Sequence, residues 1–123
     1  MKRDRMEKSQ LELWNNLKET NTLREVQNYV KNVNKIRGFH KQEITKVMLL
    51  LLEEVGELAK AIRRNATDIA IDKKKINHYD TVEEEIADVF YMLLCVCNDL
   101  DIDLYSCIKE KEAKNIKRIW EKE

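Results

Sequence analysis

Residues 47 to 62 read V-M-L-L-L-L-E-E-V-G-E-L-A-K-A-I, and this stretch decides the fold class. Its apolar side chains recur at spacings of three and four residues, which places a stripe of them along one side of a helix. The stripe consists of Met48, Leu51, Val55, Leu58 and Ile62. We therefore expect a long amphipathic helix from about residue 41 to residue 64.

Two scarcities in the composition favour helices for the rest of the chain. The 123 residues include no proline and only two glycines, Gly38 and Gly56. A protein of many short strands needs such residues at its turns, so we exclude a β-rich fold. Two glycines this far apart cannot form either common glycine-rich phosphate loop. Any phosphate would therefore be bound by side chains or metal ions.

Capping signals predict the other helices. The capping-box pattern Thr-x-x-Glu begins at Thr22 and again at Thr81, and Gly38 is a typical residue for ending a helix. Asp101 or Asp103 can cap the last helix. The three further helices are expected over residues 22 to 37, 81 to 99 and 104 to 121. Residues 65 to 79 are expected to form a connection, and residues 1 to 20 an N-terminal arm or short helix.

We expect an all-α fold, with residues 21 to 123 forming one domain of four main helices in a bundle.

Charge and cysteine content restrict the class of protein. Lys and Arg number 23, as do Asp and Glu, so the formal net charge is zero, which argues against a nucleic-acid binder. Residues 89 to 97 are uncharged but too few to cross a bilayer, and residues 1 to 10 lack the apolar centre of a signal peptide. Cys95, Cys97 and Cys107 indicate reduced core thiols. We expect a cytoplasmic protein with no membrane association.

Two pairs of acidic residues stand out, Glu54 with Glu57 and Glu85 with Asp88. About four pairs at this spacing arise by chance in so acidic a chain, and the sequence has four, so the count alone proves nothing. The context is more informative, because both pairs border apolar helix faces, although the first-turn acids of the second helix also suit its dipole. If both pairs face one cleft, their repulsion requires protons or a cation. An all-oxygen ligand set favours Mg²⁺, with Mn²⁺ as the other option.

The last expected helix carries basic residues, whose charge is opposite to that of a phosphate group. Lys111, Asn115 and Arg118 share one of its faces and could bind phosphate oxygens, or they could form a solvated basic helix end.

The strings L-L-L-L-E-E-V-G-E-L-A-K-A at residues 49 to 61 and E-I-A-D-V-F at residues 85 to 90 resemble the E-E-x-x-E…E-x-x-D signature of the MazG-type all-α nucleotide pyrophosphohydrolases. Residues 111 to 118, K-E-A-K-N-I-K-R, resemble that family's closing K-x-x-x-N-x-x-R motif. Residues 22 to 40 resemble its opening helix and turn. The similarity covers about residues 22 to 120 in order.

The resemblance implies Mg²⁺-dependent hydrolysis of a nucleoside triphosphate to the monophosphate and pyrophosphate by a homodimer or homotetramer. Glu53 would orient water or support the ligands, and Phe39 would stack on the base unless it anchors the turn as a core residue. The implied metal ligands are Glu54, Glu57, Glu85 and Asp88, and the implied substrate-binding residues are Phe39, His40, Lys111, Asn115 and Arg118.

The alternatives to this function are phosphoribosyl-ATP pyrophosphohydrolase, a non-catalytic nucleotide-binding or protein-interaction bundle, and a structural bundle with solvated acids.

Overall fold

The computed structural model describes residues 1 to 40, 42 to 72 and 80 to 123, and within them the chain is all-α. Five helices follow one another: α1 (Lys2–Asn15), α2 (Leu23–Arg37), α3 (Ile44–Ala66), α4 (Val82–Asp99) and α5 (Leu104–Asn115). The expected all-α class is confirmed, and the N-terminal arm is a 14-residue helix. Part of the expected connection and Lys41, the expected start of α3, lie outside the described residues.

The chain divides into two compact units. The first comprises Met1–His40 and Cys97–Glu123, and the second comprises Lys41–Val96. The first therefore contains α1, α2, α5 and the last residues of α4, whereas the second contains α3 and most of α4. Within the described residues, no helix has the length and apolar character that a membrane span needs.

The ends of the helices in the first unit follow their capping residues. The Thr22 hydroxyl accepts from the Glu25 N–H while the Glu25 carboxylate accepts from the Thr22 N–H, so the predicted capping box of α2 is complete. Gly38 ends α2 in the left-handed region at φ 83°, where glycine has no steric penalty. Asp103 caps α5 by accepting from the Ser106 N–H, as its position before the helix predicts.

A buried glutamine holds the first unit together. Gln27 of α2 is 8 % exposed, and its amide nitrogen donates to Asn98 Oδ1 at 3.1 Å and to the Ile102 carbonyl at 2.6 Å. Its amide oxygen accepts from the Leu104 N–H at 3.0 Å. One side chain thus binds the end of α4, the following turn and the start of α5. α2 also packs against α1 and α5.

The apolar residues of α3 lie on two separate sides. Val47 and Ala61 are buried and Leu51 and Leu58 are half-buried, so this side faces the interior. The other members of the predicted stripe remain exposed: Met48, Val55 and Ile62. In α4, Leu94, Cys95 and Cys97 are buried. Cys107 of α5 is exposed, so the expectation that all three thiols are core residues is wrong for this one.

The last helix is shorter than its pattern suggests. The expected helix reached residue 121, but α5 ends at Asn115, and the N–H groups of Lys117 and Arg118 bond to carbonyls three residues back, as in a tight turn. The Trp120 indole N–H donates to the Asn115 carbonyl at 3.1 Å. A side chain therefore bonds to a carbonyl that a longer α-helix would pair with a main-chain N–H.

Replacing Gln27 with Met should lower the free energy of unfolding by about 2 kcal/mol or more, because the Leu104 N–H and its neighbouring acceptors lose their buried partner. Thermal unfolding followed by circular dichroism would then show a midpoint lower by roughly 6 °C or more. The exposed neighbour Asn28 gives the control, and Asn28→Ala should leave the midpoint nearly unchanged. Equal midpoints for Gln27→Met and the parent would contradict the structural role of this glutamine.

Candidate metal centre

Three carboxylates converge in the second unit. Glu54 of α3 and Glu85 and Asp88 of α4 each offer an oxygen, and these oxygens lie within 4.8 Å of one another. We call these three residues the carboxylate cluster. They are three of the four acids that the sequence predicts as metal ligands, and they come from two helices as expected.

Glu85 is the buried member of the carboxylate cluster. Its exposed fraction is 5 %, and its Oε2 atom has no hydrogen-bond partner among the residues that the structure describes. Leaving such an oxygen unpaired is costly, because burial removes its water and nothing replaces it. Glu54 is half-buried and Asp88 is exposed. The cluster therefore runs from a buried carboxylate to one that solvent can reach.

Burial and like charges disfavour the ionised form of two members. The pKa of Glu85 is raised, first by burial and then by the charges of Asp80, Asp88, Glu54 and Glu57. The pKa of Glu54 is also raised, again by burial first and by Asp88 and Glu57 next. Without a cation, this arrangement favours protonated carboxyl groups, as expected when acids share a poorly hydrated site.

The two other acids of the α3 motif lie outside the carboxylate cluster. Glu57 is exposed, although its charge contributes to the raised pKa of both Glu54 and Glu85. Glu53 is exposed too. Its effect on the Glu54 pKa is smaller than that of Asp88 or Glu57. The structure thus places Glu57 beside the cluster and leaves Glu53 facing solvent.

Asp80 is an acid that the sequence reasoning passed over. Among neighbouring charges, it has the largest effect on the Glu85 pKa, and it also raises the pKa of Glu54. It precedes α4 and lines a cavity of about 420 Å³ that residues at the end of α3 also border. Asp80 belongs with Glu83 to one of the four acidic pairs at a spacing of three residues, which were counted as no more than chance expects, and its position before α4 gave no further signal.

The donor set fits a hard divalent cation. All three groups are carboxylates, and no histidine or thiolate joins them within the described residues. Oxygen-only ligation suits Mg²⁺ and Mn²⁺, and a cation would give the unpaired Glu85 oxygen a partner while offsetting the mutual repulsion. The chemistry of the residues therefore fits a divalent metal ion.

The predicted substrate-binding residues lie in the first unit, and most are exposed. Phe39 is 55 % exposed, which excludes a core role within this chain, and His40 is exposed. Lys111 and Arg118 are also exposed, whereas Asn115 is partly buried. The Asn115 amide nitrogen donates to Glu112 at 3.1 Å, and its amide oxygen accepts from Arg118 at 3.4 Å. Asn115 and Arg118 thus lie together, although Arg118 follows the end of α5.

In metal-free protein, we expect the contribution of Glu85 to the free energy of unfolding to fall as pH rises. A carboxyl group whose pKa is raised in the folded state stabilises the fold fully below its unfolded value, 4.5 for glutamate, and this contribution is lost as pH rises through the folded pKa. Denaturant titrations in EDTA between pH 4 and 8 should show this loss. Glu85→Gln should remove much of it, whereas the exposed neighbour Glu84→Gln should not. An identical pH dependence for Glu85→Gln and the parent would contradict the raised pKa.

Comparisons of the structure and of the sequence with known proteins both match YpjD from Bacillus subtilis. The crystal structure of YpjD from Bacillus subtilis, provisionally described as a pyrophosphatase, matches with a TM-score of 0.67 at 27 % identity, covering 83 % of this chain and 100 % of that one. The sequence of the uncharacterised YpjD of Bacillus subtilis strain 168 is 40 % identical over 58 residues, 47 % of this chain. That alignment spans half the length of the relative.

The sequence model described as the MazG nucleotide pyrophosphohydrolase domain matches residues 42–120. The matched range includes the whole carboxylate cluster and the predicted basic residues of the α5 region, and it covers well over half of the chain. The chain therefore belongs to the MazG nucleotide pyrophosphohydrolase family.

Proposed function

We propose that this protein hydrolyses a nucleoside triphosphate to the monophosphate and pyrophosphate with the help of a divalent cation, Mg²⁺ in the first place. Water breaks the anhydride bond between the α- and β-phosphates. The observation that carries this proposal is the buried, unpartnered Glu85 carboxylate beside Glu54 and Asp88. Membership of a pyrophosphohydrolase family supports the same reaction class.

Glu54, Glu85 and Asp88 are the proposed metal ligands, with Glu57 as the fourth. Glu57 is exposed on the same helix as Glu54, so a change of side-chain conformation could bring its carboxylate to the same ion. When bound, the cation supplies positive charge that neutralises the triphosphate and activates water for attack. The buried end of the cluster keeps this charge in a poorly hydrated place, where electrostatic interactions are stronger than in bulk water.

The remaining predicted residues have separate proposed roles. Glu53 faces solvent and does not join the carboxylate cluster, so it is free of the strongest repulsion and suits the role of accepting a proton from water or orienting it. Lys111 and Arg118 are exposed cations suited to phosphate oxygens. Phe39 and His40 stay proposed nucleotide contacts.

The direct test is pyrophosphate release from a panel of ribo- and deoxyribonucleoside triphosphates with Mg²⁺. We expect release from at least one of them, and EDTA should abolish it. Asp88→Asn removes one charge from the cluster and should lower kcat/KM about 100-fold or more, since even the outer partners of metal ligands often cost 10- to 100-fold. Glu84→Gln, on the same helix but outside the cluster, should retain parental activity.

Two results would contradict this proposal. The first is an absence of pyrophosphate from every nucleotide in the panel, and the second is parental kcat/KM in Asp88→Asn. Circular dichroism of each variant separates loss of function from loss of fold. Because the substitution relieves repulsion, the metal-free Asp88→Asn protein should be at least as stable as the parent.

We also propose that the protein is a homo-oligomer, on the basis of exposed apolar side chains in the second unit. One exposed set on α3 repeats at spacings of four, three, four and three residues: Met48, Leu52, Val55, Ala59 and Ile62. This is the spacing of a coiled-coil seam, whose residues pack against a partner helix. On α4, Ile86, Phe90 and Leu93 repeat at four and three and are also exposed. Such large exposed apolar surfaces are typical of interfaces between proteins. In a homo-oligomer, the same apolar residues of a second copy would pack against them.

Sedimentation velocity should show the parent as a dimer or larger assembly. Val55→Glu places a charge in the middle of the α3 seam and should shift the protein to monomer, because the interface would then bury an unpaired carboxylate. Lys46→Glu changes an exposed polar position of the same helix and should leave the assembly intact. A monomeric parent at high micromolar concentration would contradict the proposed oligomer.

A further inference from the structure

The second unit contains a cavity that the proposed metal ligands do not line. Its volume is about 420 Å³, within the range of about 300 to 1,000 Å³ that is usual for small-ligand sites. It lies between the end of α3 and the start of α4, and we call it the Asp80 cavity. The described residues that line it are Arg64, Asn65, Asp80, Thr81, Val82 and Glu83.

The Asp80 cavity lies close to the carboxylate cluster. Val82 lines the cavity and precedes Glu85 and Asp88 on α4 by three and six residues, which are about 4.5 and 9 Å along the helix axis. Burial is the main cause of the raised Glu85 pKa, and the charge of Asp80 is the next cause. One nucleotide can therefore reach both places, because a single pentose separates its base from its α-phosphate.

Charged side chains dominate the lining of the Asp80 cavity. The Thr81 hydroxyl and the Asn65 amide nitrogen already bond to main-chain atoms of α4 and α3. The other polar side chains are the guanidinium of Arg64 and the carboxylates of Asp80 and Glu83. Because the two carboxylates outnumber the guanidinium, this lining disfavours a phosphate group and favours an uncharged group that carries hydrogen-bond donors. The cavity therefore suits the base of a nucleotide better than its phosphates.

Guanine is the nucleobase that matches both kinds of charge. Its O6 and N7 atoms both accept, and an arginine side chain donates to this pair with two parallel hydrogen bonds. Its N1–H and 2-amino groups donate, and a carboxylate accepts from such donors. Adenine carries an amino group where guanine has O6, and the pyrimidines have no N7.

We propose that the Asp80 cavity binds the base of the nucleoside triphosphate and prefers guanine, with Asp80 accepting from the 2-amino group and Arg64 donating to O6 and N7. This inference rests on the proposed function, because it names the substrate class of that reaction. Asp80 is assigned the contact in place of Glu83 because its charge acts on Glu85 and Glu54, at the cluster that binds the phosphates in the proposed reaction.

The test uses two nucleotides that differ only in the 2-amino group. The probes are the α,β-methylene analogues of GTP and of inosine triphosphate, which lacks this group and, like the GTP analogue, resists cleavage between the α- and β-phosphates. Isothermal titration calorimetry measures their binding to the full chain with Mg²⁺. The parent should bind the GTP analogue about tenfold more tightly, as expected for one hydrogen bond to a charged group.

Variants of the cavity separate a contact with the 2-amino group from a general effect on binding. Asp80→Ala should bind the two analogues equally, and Asp80→Asn, which keeps the size of the side chain, should lose most of the preference. Arg64→Met should weaken both analogues alike and keep their ratio, because both bases carry O6 and N7. Glu83→Gln should also keep the parental ratio. Circular dichroism of each variant verifies the fold.

Three results would overturn the inference. The first is equal affinity of the parent for the two analogues, and the second is a tenfold preference that persists in both Asp80 variants. The third is an ATP analogue that the parent binds as tightly as the GTP analogue.

This inference and the proposed reaction fail in different ways. A preference for the GTP analogue over the inosine analogue in a protein that releases no pyrophosphate would refute the reaction and support the Asp80 cavity as a guanine site. Pyrophosphate release with equal kcat/KM for GTP and inosine triphosphate would support the reaction and overturn the preference for guanine.

Discussion

The second unit brings together carboxylates that repel one another, and the buried Glu85 Oε2 atom has no hydrogen-bond partner among the described residues. Two ionised carboxylates whose oxygens lie within 4.8 Å of each other repel by about 3 kcal/mol or more at an effective dielectric near 20, before solvent screens the exposed Asp88. Glu85 adds the cost of a buried oxygen without a partner in the described structure. A fold selected for stability alone would gain by replacing these acids with apolar or amide side chains. The divalent cation that we propose for this cluster would offset both costs.

The apolar surface of the second unit imposes a separate constraint. α3 uses one side, including Val47 and Ala61, within the chain and leaves another, including Val55, exposed. The exposed residues have the spacing of a coiled-coil interface. α3 therefore has two apolar sides, each suited to pack against a different neighbour. The proposed oligomer provides the second neighbour. In this account, α3 carries metal ligands and interface residues on adjacent sides.

Local signals predicted most of the fold. The Thr22 and Glu25 box, Gly38 and Asp103 each act within a few residues, so the sequence alone locates those helix ends. α5 ends earlier than its pattern predicts, and the Asn115 carbonyl accepts from the Arg118 N–H and the Trp120 indole, contacts on which helical periodicity contains no information.

The site was predicted less completely than the fold. Three of the four acids that the sequence singled out converge, and they were singled out by the apolar faces that they border and by the family resemblance, because spacing alone does not distinguish them from chance pairs. It could not show that Glu85 alone is deeply buried, because burial depends on how α3 and α4 approach each other. Asp80 precedes its helix, so its effect on the Glu85 pKa depends on tertiary geometry that the spacing pattern does not describe.

The most direct test of the account is a titration of metal-free protein with Mn²⁺, in which electron paramagnetic resonance measures the free ion. The account predicts saturable binding by the parent, release of protons as the ion displaces them from carboxyl groups whose pKa is raised, and much weaker binding by Glu85→Gln. Free Mn²⁺ that rises in proportion to the amount added, with no bound fraction, would contradict the central claim.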